Sequence, residues 1–407
     1  MRNTRKPVIL IFPFDLLSHY TRSLEVAKLL RDNYTIKVQY SKRYDWLIRE
    51  SGFEAFNCPH FDTEKVIKCS EKFDFSWLNY PVLENIYSHQ VKTIREHEPA
   101  LLIGDTAQTL RMAAEKCNVP YVSLMNGYMT KYYALRRSIP RIHYSKKYEK
   151  VIPSFIFNFI AEIVEELNFR KLHKPFAEIR RHNGLSKKKS YRDEMEGDFN
   201  FIVDLPELFP QKRLPSNYMF MGPLFYKSEN NDSKQDRIIN NGKKNILVTN
   251  GSTGDYTLSN LFFNPIFKNY NIIITGIGAK PADCEFISYR EFINHNSLLE
   301  MIDIMVCHGG NGTIYQGLSF GIPLLCAPRI FEQEWNVQRI ATLGLGEDIT
   351  DIKKPDKLLK VIEKWEHKKN SPAIKSVRDL INTMQRRLYS GESGFEQKIR
   401  ELIRSKN

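Results

Sequence analysis

At 407 residues the chain is longer than one hydrophobic core usually supports, so two domains are expected. With 42% hydrophobic and 26% charged residues it has a globular composition, and no segment reaches the ~20 apolar residues that span a bilayer. The net charge of +13 is unevenly placed: residues 131–195 hold 16 Lys and Arg against 7 Asp and Glu. Such a patch suits an anionic membrane, nucleic acid or an acidic substrate, or is a solvated face.

The first apolar run, PVILIFPF (7–14), reads as a buried strand rather than a secretory leader, because it carries two prolines and no small-residue cleavage site. TIKVQYS (35–41), ALLIGD (100–105), PYVSLMN (120–126) and NFIVD (200–204) follow, separated by amphipathic stretches such as SLEVAKLLRD and TLRMAAEKCN. Runs apolar on both faces, alternating with helical patterns, predict a parallel sheet covered by helices on both sides. SFIFNFIAEIVEELNFRKL (154–172) interrupts this order, and reads as a lid or as a helix lying on a bilayer.

Residues 227–245 are polar and charged and read as a linker. Beyond them the alternation restarts with NILVTNG, YNIIITGIG, CEFISYR, DIMVCHG and PLLCAP. The predicted fold class is therefore α/β, two doubly wound Rossmann-like halves facing a cleft, with ligands beyond the carboxyl ends of the strands. Six scattered cysteines without CxxC spacing read as free thiols of a reducing cytoplasm.

HGGNGTIYQG (308–317) is a glycine-rich turn between a buried strand and a helix start. That order places bare backbone N–H groups and the positive end of a helix dipole at a strand's carboxyl end, which suits phosphate. Gly309, Gly310 and Gly312 allow close approach, and His308 and Thr313 can donate hydrogen bonds. NGSTGD (250–255) is a second such turn, and Glu332 and Gln333 in IFEQEWN offer an acceptor and an amide to vicinal hydroxyls. Together they describe a nucleotide-sugar site. No GxxxxGK[ST] is present, GIGAKP (276–281) lacks the third glycine of a dinucleotide fingerprint, and GLSFG (317–321) lacks the strand-to-helix elbow of a hydrolase.

The stretch from His308 to Gly346 closely resembles the donor signature of glycosyltransferase family 1, which includes UDP-glucuronosyltransferases and bacterial macrolide glycosyltransferases. GSTG (251–254), GPL (222–224) and PFDLLSHYTRSLEVAKLL (13–30) stand in the family's order. The resemblance implies a GT-B fold and inverting, metal-independent transfer from a UDP- or TDP-sugar, with no other cofactor. It assigns the donor phosphates to Ser252, Thr253, His308, Gly309, Gly310, Gly312 and Thr313. It assigns base and ribose to Phe292, Ile293 and Gln316, and the sugar to Glu332, Gln333 and Asn336. His19 matches the family's catalytic base and Asp105 the aspartate that orients it, sensible roles for an imidazole and a carboxylate on its other nitrogen. The chain departs at Gln316, where many members have glutamate, at Ser18 for glycine and at Arg22 for proline.

The implied domains are 1–226 for the acceptor and 246–385 for the nucleotide sugar, with 386–407 a C-terminal helix returning to the first. The acceptor is a small hydrophobic molecule or a lipid, residues 131–195 are a candidate membrane surface, and nucleic-acid binding would rest on charge alone. Localisation is read as cytoplasmic, soluble or peripheral at the membrane. The competing readings are a nucleotide-sugar-binding protein without catalysis and an epimerase of the same architecture. The peptidoglycan lipid II glycosyltransferase shares that architecture but differs in its donor motif.

Overall fold

A computed structural model of the chain describes residues 6–226, 241–249, 251, 258–276, 284–290 and 295–405. The chain divides into two compact units, Met1–Gly222 with Arg386–Asn407, and Pro223–Gln385. Of the stretch read as a linker, residues 227–240 lie outside the described residues, and Lys244 and Asn245 already belong to a strand.

The first unit is built on seven strands: β1 (Val8–Pro13), β2 (Thr35–Gln39), β3 (Glu54–Phe56), β4 (Leu101–Asp105), β5 (Tyr121–Met125), β6 (Phe199–Ile202) and β7 (Tyr218–Phe220). They run in the order 3-2-1-4-5-6-7, every neighbouring pair parallel. Its helices are α1 (Leu17–Leu30), α2 (Asp45–Glu50), α3 (Thr63–Ser70), α4 (Tyr80–His97), α5 (Leu110–Cys117), α6 (Ser154–Leu172), α7 (Lys174–His182) and α8 (Tyr191–Met195). Strands β4 and β5 are buried at every position, the burial expected of a parallel sheet with both faces covered.

The second unit has six parallel strands: β8 (Lys244–Thr249), β9 (Tyr270–Thr275), β10 (Ile287–Arg290), β11 (Ile304–Cys307), β12 (Leu324–Cys326) and β13 (Gly346–Asp348). Their order is 10-9-8-11-12-13. The helices are α9 (His295–Met301), α10 (Asn311–Ser319), α11 (Phe331–Thr342), α12 (Pro355–Trp365) and α13 (Pro372–Tyr389), whose last turn belongs to the first unit. There too lies α14 (Phe395–Arg404), where the Phe395 ring meets Phe201 edge to face at 4.9 Å and Glu396 accepts a hydrogen bond from Asn33.

Both sheets reverse their winding once. In the first unit the chain leaves β1 towards β2 and returns to β4 on the other side; in the second it leaves β8 towards β9 and returns to β11. Such a switch point opens a crevice at the carboxyl ends of the two central strands, where ligands bind in folds of this kind. The registers fix those ends: Pro13 lies opposite Asp105, and Thr249 opposite Cys307.

Candidate functional site

At the first switch point β1 runs through Phe14 into α1, and the Phe14 N–H donates to the Asp105 carbonyl at 3.0 Å, tying the two strand ends together. His19 lies in the first turn of α1. Its Nδ1 is 2.8 Å from Oδ1 of Asp105, which is fully buried, while the His19 side chain keeps about a tenth of its exposure (13%). With Nδ1 committed to the carboxylate, Nε2 is the nitrogen left to take a proton from a ligand. The Phe14 ring stands edge-on to the imidazole at 5.8 Å, giving it an apolar flank that continues through Phe61 and Trp77. Thr106, next after Asp105, has φ of +58°, which is costly for a β-branched residue and marks strain beside the site.

The third member of this cluster is Arg22, three residues along the same helix and 4% exposed. Its Nε donates to Asp105 Oδ2 at 2.7 Å, its Nη2 to Oδ1, and its Nη1 to Asn126 Oδ1 at 2.7 Å. Burial by itself would drive the acid and the guanidinium towards their neutral forms. For Asp105 the charges and hydrogen bonds of Arg22 and His19 outweigh it and hold the carboxyl down at about 2. For Arg22 the Asp105 carboxylate outweighs it likewise and raises the guanidinium above its ordinary value. Sequence reasoning took Arg22 only as a departure from a family pattern; the available signal was its i+3 spacing from His19.

At the second switch point His308 follows β11, and its ring is buried between two glycines. A Cβ on Gly251 would stand 2.3 Å from His308 Cε1, and one on Gly310 would stand 2.4 Å from Nε2. Gly309 has φ of +81°, and a Cβ there would also meet Val337 at 2.5 Å. Gly312 alone of the three has open space around it. Gly310 is the extended residue before α10, and its carbonyl accepts from Ile314 N–H at 3.0 Å. The N–H groups of Asn311, Gly312 and Thr313 form the first turn, whose donors have no intrahelical acceptor. Burial pushes the His308 imidazole down to about 4, with a hydrogen bond to the Thr249 backbone working the other way. An imidazole whose Nε2 lies on the Gly310 side, beside a helix start, is suited to an anion.

Other residues singled out by sequence sit at the same strand ends. Asn336 donates through Nδ2 to the Gly309 carbonyl at 2.9 Å and so fastens the loop, leaving its own Oδ1 buried and unbonded. Gln333 Oε1 accepts from the N–H groups of Arg329, at 2.8 Å, and Ile330, so that oxygen caps α11. Glu332 is half-buried in the first turn of α11, and Gln316 half-buried in the second turn of α10. Ser252, Thr253, Phe292 and Ile293 lie outside the described residues. Ser319, the serine of GLSFG, ends α10 and donates to the Gln316 carbonyl at 2.7 Å, in no nucleophile's setting.

Residues 245–387 match the model of the glycosyltransferase family 28 C-terminal domain. Over 352 residues the chain is 21% identical to a PGL/p-HBAD biosynthesis glycosyltransferase of Mycobacterium tuberculosis, covering 84% of this chain and 80% of that protein. Among solved structures, CalG4, the calicheamicin glycosyltransferase, superposes with a TM-score of 0.68 at 15% identity, over 98% of this chain and 99% of that one. The glycosyltransferase VinC in complex with DTDP does so with a TM-score of 0.64 at 16% identity, over 98% and 99%. The fold is GT-B. The matching family model is that of family 28, and family 1, suggested by the donor signature, is not what it identifies.

Proposed function

We propose that this protein is an inverting glycosyltransferase that moves a sugar from a nucleotide-diphosphate donor to a hydroxyl of a small hydrophobic or lipid acceptor. The observation that carries the reading is the division of labour between the two switch points. One presents a histidine oriented by a buried carboxylate, and the other a helix start and a clamped imidazole suited to a diphosphate. The names of the relatives and the DTDP bound by VinC support it from outside the chain.

In this mechanism the second unit holds the nucleotide diphosphate on the first turn of α10 and on His308. The acceptor hydroxyl gives its proton to His19 Nε2 as its oxygen attacks the anomeric carbon. The bond from that carbon to the diphosphate breaks, and the diphosphate leaves with the electron pair. A single displacement inverts the anomeric centre. Asp105 keeps the Nδ1 proton in place and stabilises the imidazolium as it forms. The α10 dipole and His308 stabilise the charge that grows on the leaving group, and we assign no metal ion to this role. Gln316 accepts from one ribose hydroxyl or donates to another, which leaves both UDP and TDP donors compatible with the pocket.

The test begins with calorimetric titration of UDP and TDP without added metal, followed by transfer of labelled sugar from UDP- and TDP-sugars to a hydrophobic acceptor panel. His19→Ala is expected to bind the nucleotide as the wild type does and to lose transfer. Near wild-type turnover by that variant would remove His19 as the base, and binding of neither nucleotide would overturn the donor site.

A further inference from the structure

The cations of residues 131–195 do not all lie on one solvated face, because several of them are paired with acids. Arg180 grips Glu194 in the interior through Nε at 2.6 Å and Nη2 at 2.7 Å and reaches the half-buried Glu115 at 2.8 Å. Lys131 pairs with Asp193 and Glu196, Arg136 with Glu149 and Arg137 with Glu165.

Helix α6 runs through this segment with its polarity inverted. Ile156, Phe159, Ile160, Ile163, Val164 and Leu167 are all exposed, Phe159 by 66% and Leu167 by 56%. Their spacing of i, i+3, i+4, i+7, i+8 and i+11 places them on one face, a stripe about 16 Å long at 1.5 Å per residue. The opposite side is anchored. Phe157 is buried beneath the Arg136 guanidinium at 5.3 Å, Phe169 stacks on Tyr191 under Arg192 at 4.8 Å, and Glu165 holds Arg137 at 2.8 Å. The helix is thus fixed with its apolar stripe turned outward. Among the described residues no helix is long and apolar enough to cross a membrane.

Exposed cations bracket the stripe. Lys147 precedes it, and Arg170, Lys171 and Lys174 follow, with Arg170 and Lys171 continuing the same sector of the helix surface. The acids of α6 lie off the stripe: Glu165 and Glu166 are engaged with arginines, and Glu162 is exposed on the flank. We infer that α6 docks this protein onto the surface of an anionic membrane, lying parallel to it with the stripe among the acyl chains and the flanking lysines among the headgroups. An apolar stripe alone would equally suit a second copy of the chain. The exposed cations beside the stripe, however, complement anionic headgroups, whereas a second copy would present the same cations again, so the charge favours anionic lipid.

The inference stands apart from glycosyl transfer, since vesicle binding needs no turnover, and the His19→Ala chain is expected to bind vesicles as the wild type does. The test is flotation of the full chain with vesicles of phosphatidylcholine alone and of phosphatidylcholine with phosphatidylglycerol. Flotation is expected only with the anionic vesicles and is expected to weaken with salt. The surface double variant Phe159→Ser/Leu167→Ser is expected to lower partition roughly tenfold or more while keeping the wild-type melting temperature. Lys171→Ala is expected to lower partition about fivefold. Absence of flotation with anionic vesicles would overturn the inference, as would flotation that the double variant leaves unchanged. A wild-type dimer that the double variant dissolves would assign the stripe to a second copy instead.

Discussion

Arg22→Met removes the charge that keeps Asp105 ionised in a fully buried position, while nearly filling the same volume. Asp105 has its carboxyl at about 2 against an ordinary 3.8, a difference worth about 2 kcal/mol of stability near neutral pH. Because the folded value is the lower one, that contribution is complete above the ordinary value and is lost as pH falls through it towards 2. Removing Arg22 deletes two hydrogen bonds to the carboxylate and one to Asn126, leaving His19 at 2.8 Å and the longer contact from the Thr106 hydroxyl at 3.4 Å. Breaking a buried pair from one side costs about 3–5 kcal/mol, and the surviving His19 bond puts this case near the lower bound. Hydrogen exchange of peptides covering β4 at pH 7 reports the opening of this unit by itself, and should show faster exchange by roughly two orders of magnitude. The double variant Arg22→Met/Asp105→Asn removes the unpaired charge and should recover part of the loss, a coupling of about 1–3 kcal/mol. Exchange within about 1 kcal/mol of wild type in Arg22→Met, or effects of the two substitutions that simply add, would refute the picture of one buried unit.

The glycines around His308 should separate by what lies beside them. Gly310→Ala sets a methyl against the imidazole and is expected to weaken UDP or TDP binding about tenfold or more, whereas Gly312→Ala enters open space and should bind within a few-fold of wild type, both by calorimetry. Since His308 is held at about 4 in the free protein, a bound diphosphate should pull its value up and draw in a proton between that pH and neutrality. Nucleotide titrations near pH 5.5 in buffers of different ionisation enthalpy should therefore show more proton uptake for wild type than for His308→Ala, and equal uptake would deny His308 a charged role. Gln316→Glu should shift preference towards UDP over TDP, read as a ratio of the two dissociation constants.

The doubly wound architecture was legible because the central strands are apolar on both faces and long enough to stand out. The edges were not. Strands β3 and β13 are three residues each and lack an apolar run; Glu54 and Ala55 of β3 are exposed, so no periodicity announces it. His308 stands out because it follows a buried run at a glycine-rich turn, where a parallel sheet exposes side chains to ligand, whereas His19 and Asp105 are singled out by their match to the family pattern. Arg22 is not, since a cation in an amphipathic helix reads as a solvated face until β4 brings Asp105 beneath it. For the same reason the pairing of Arg137 with Glu165 and of Arg180 with Glu194 and Glu115 is not visible in the basic composition of 131–195.

The donor loop shows a subtler limit. A run of glycines tells a reader that backbone must come close to something, and phosphate is the natural candidate. Here two of the close approaches are to the protein's own histidine: Gly251 and Gly310 are bare because the His308 ring lies against them. Asn336 reaches back to the Gly309 carbonyl and Gln333 caps the helix beside it, so residues that resemblance assigns to the sugar also hold the loop in shape. The imidazole is clamped between these glycines, so its Nε2 and the first turn of α10 are held in place before any ligand arrives. Donors held in that way need little reorganisation when charge develops on a departing diphosphate, which is the condition under which such groups lower a barrier most.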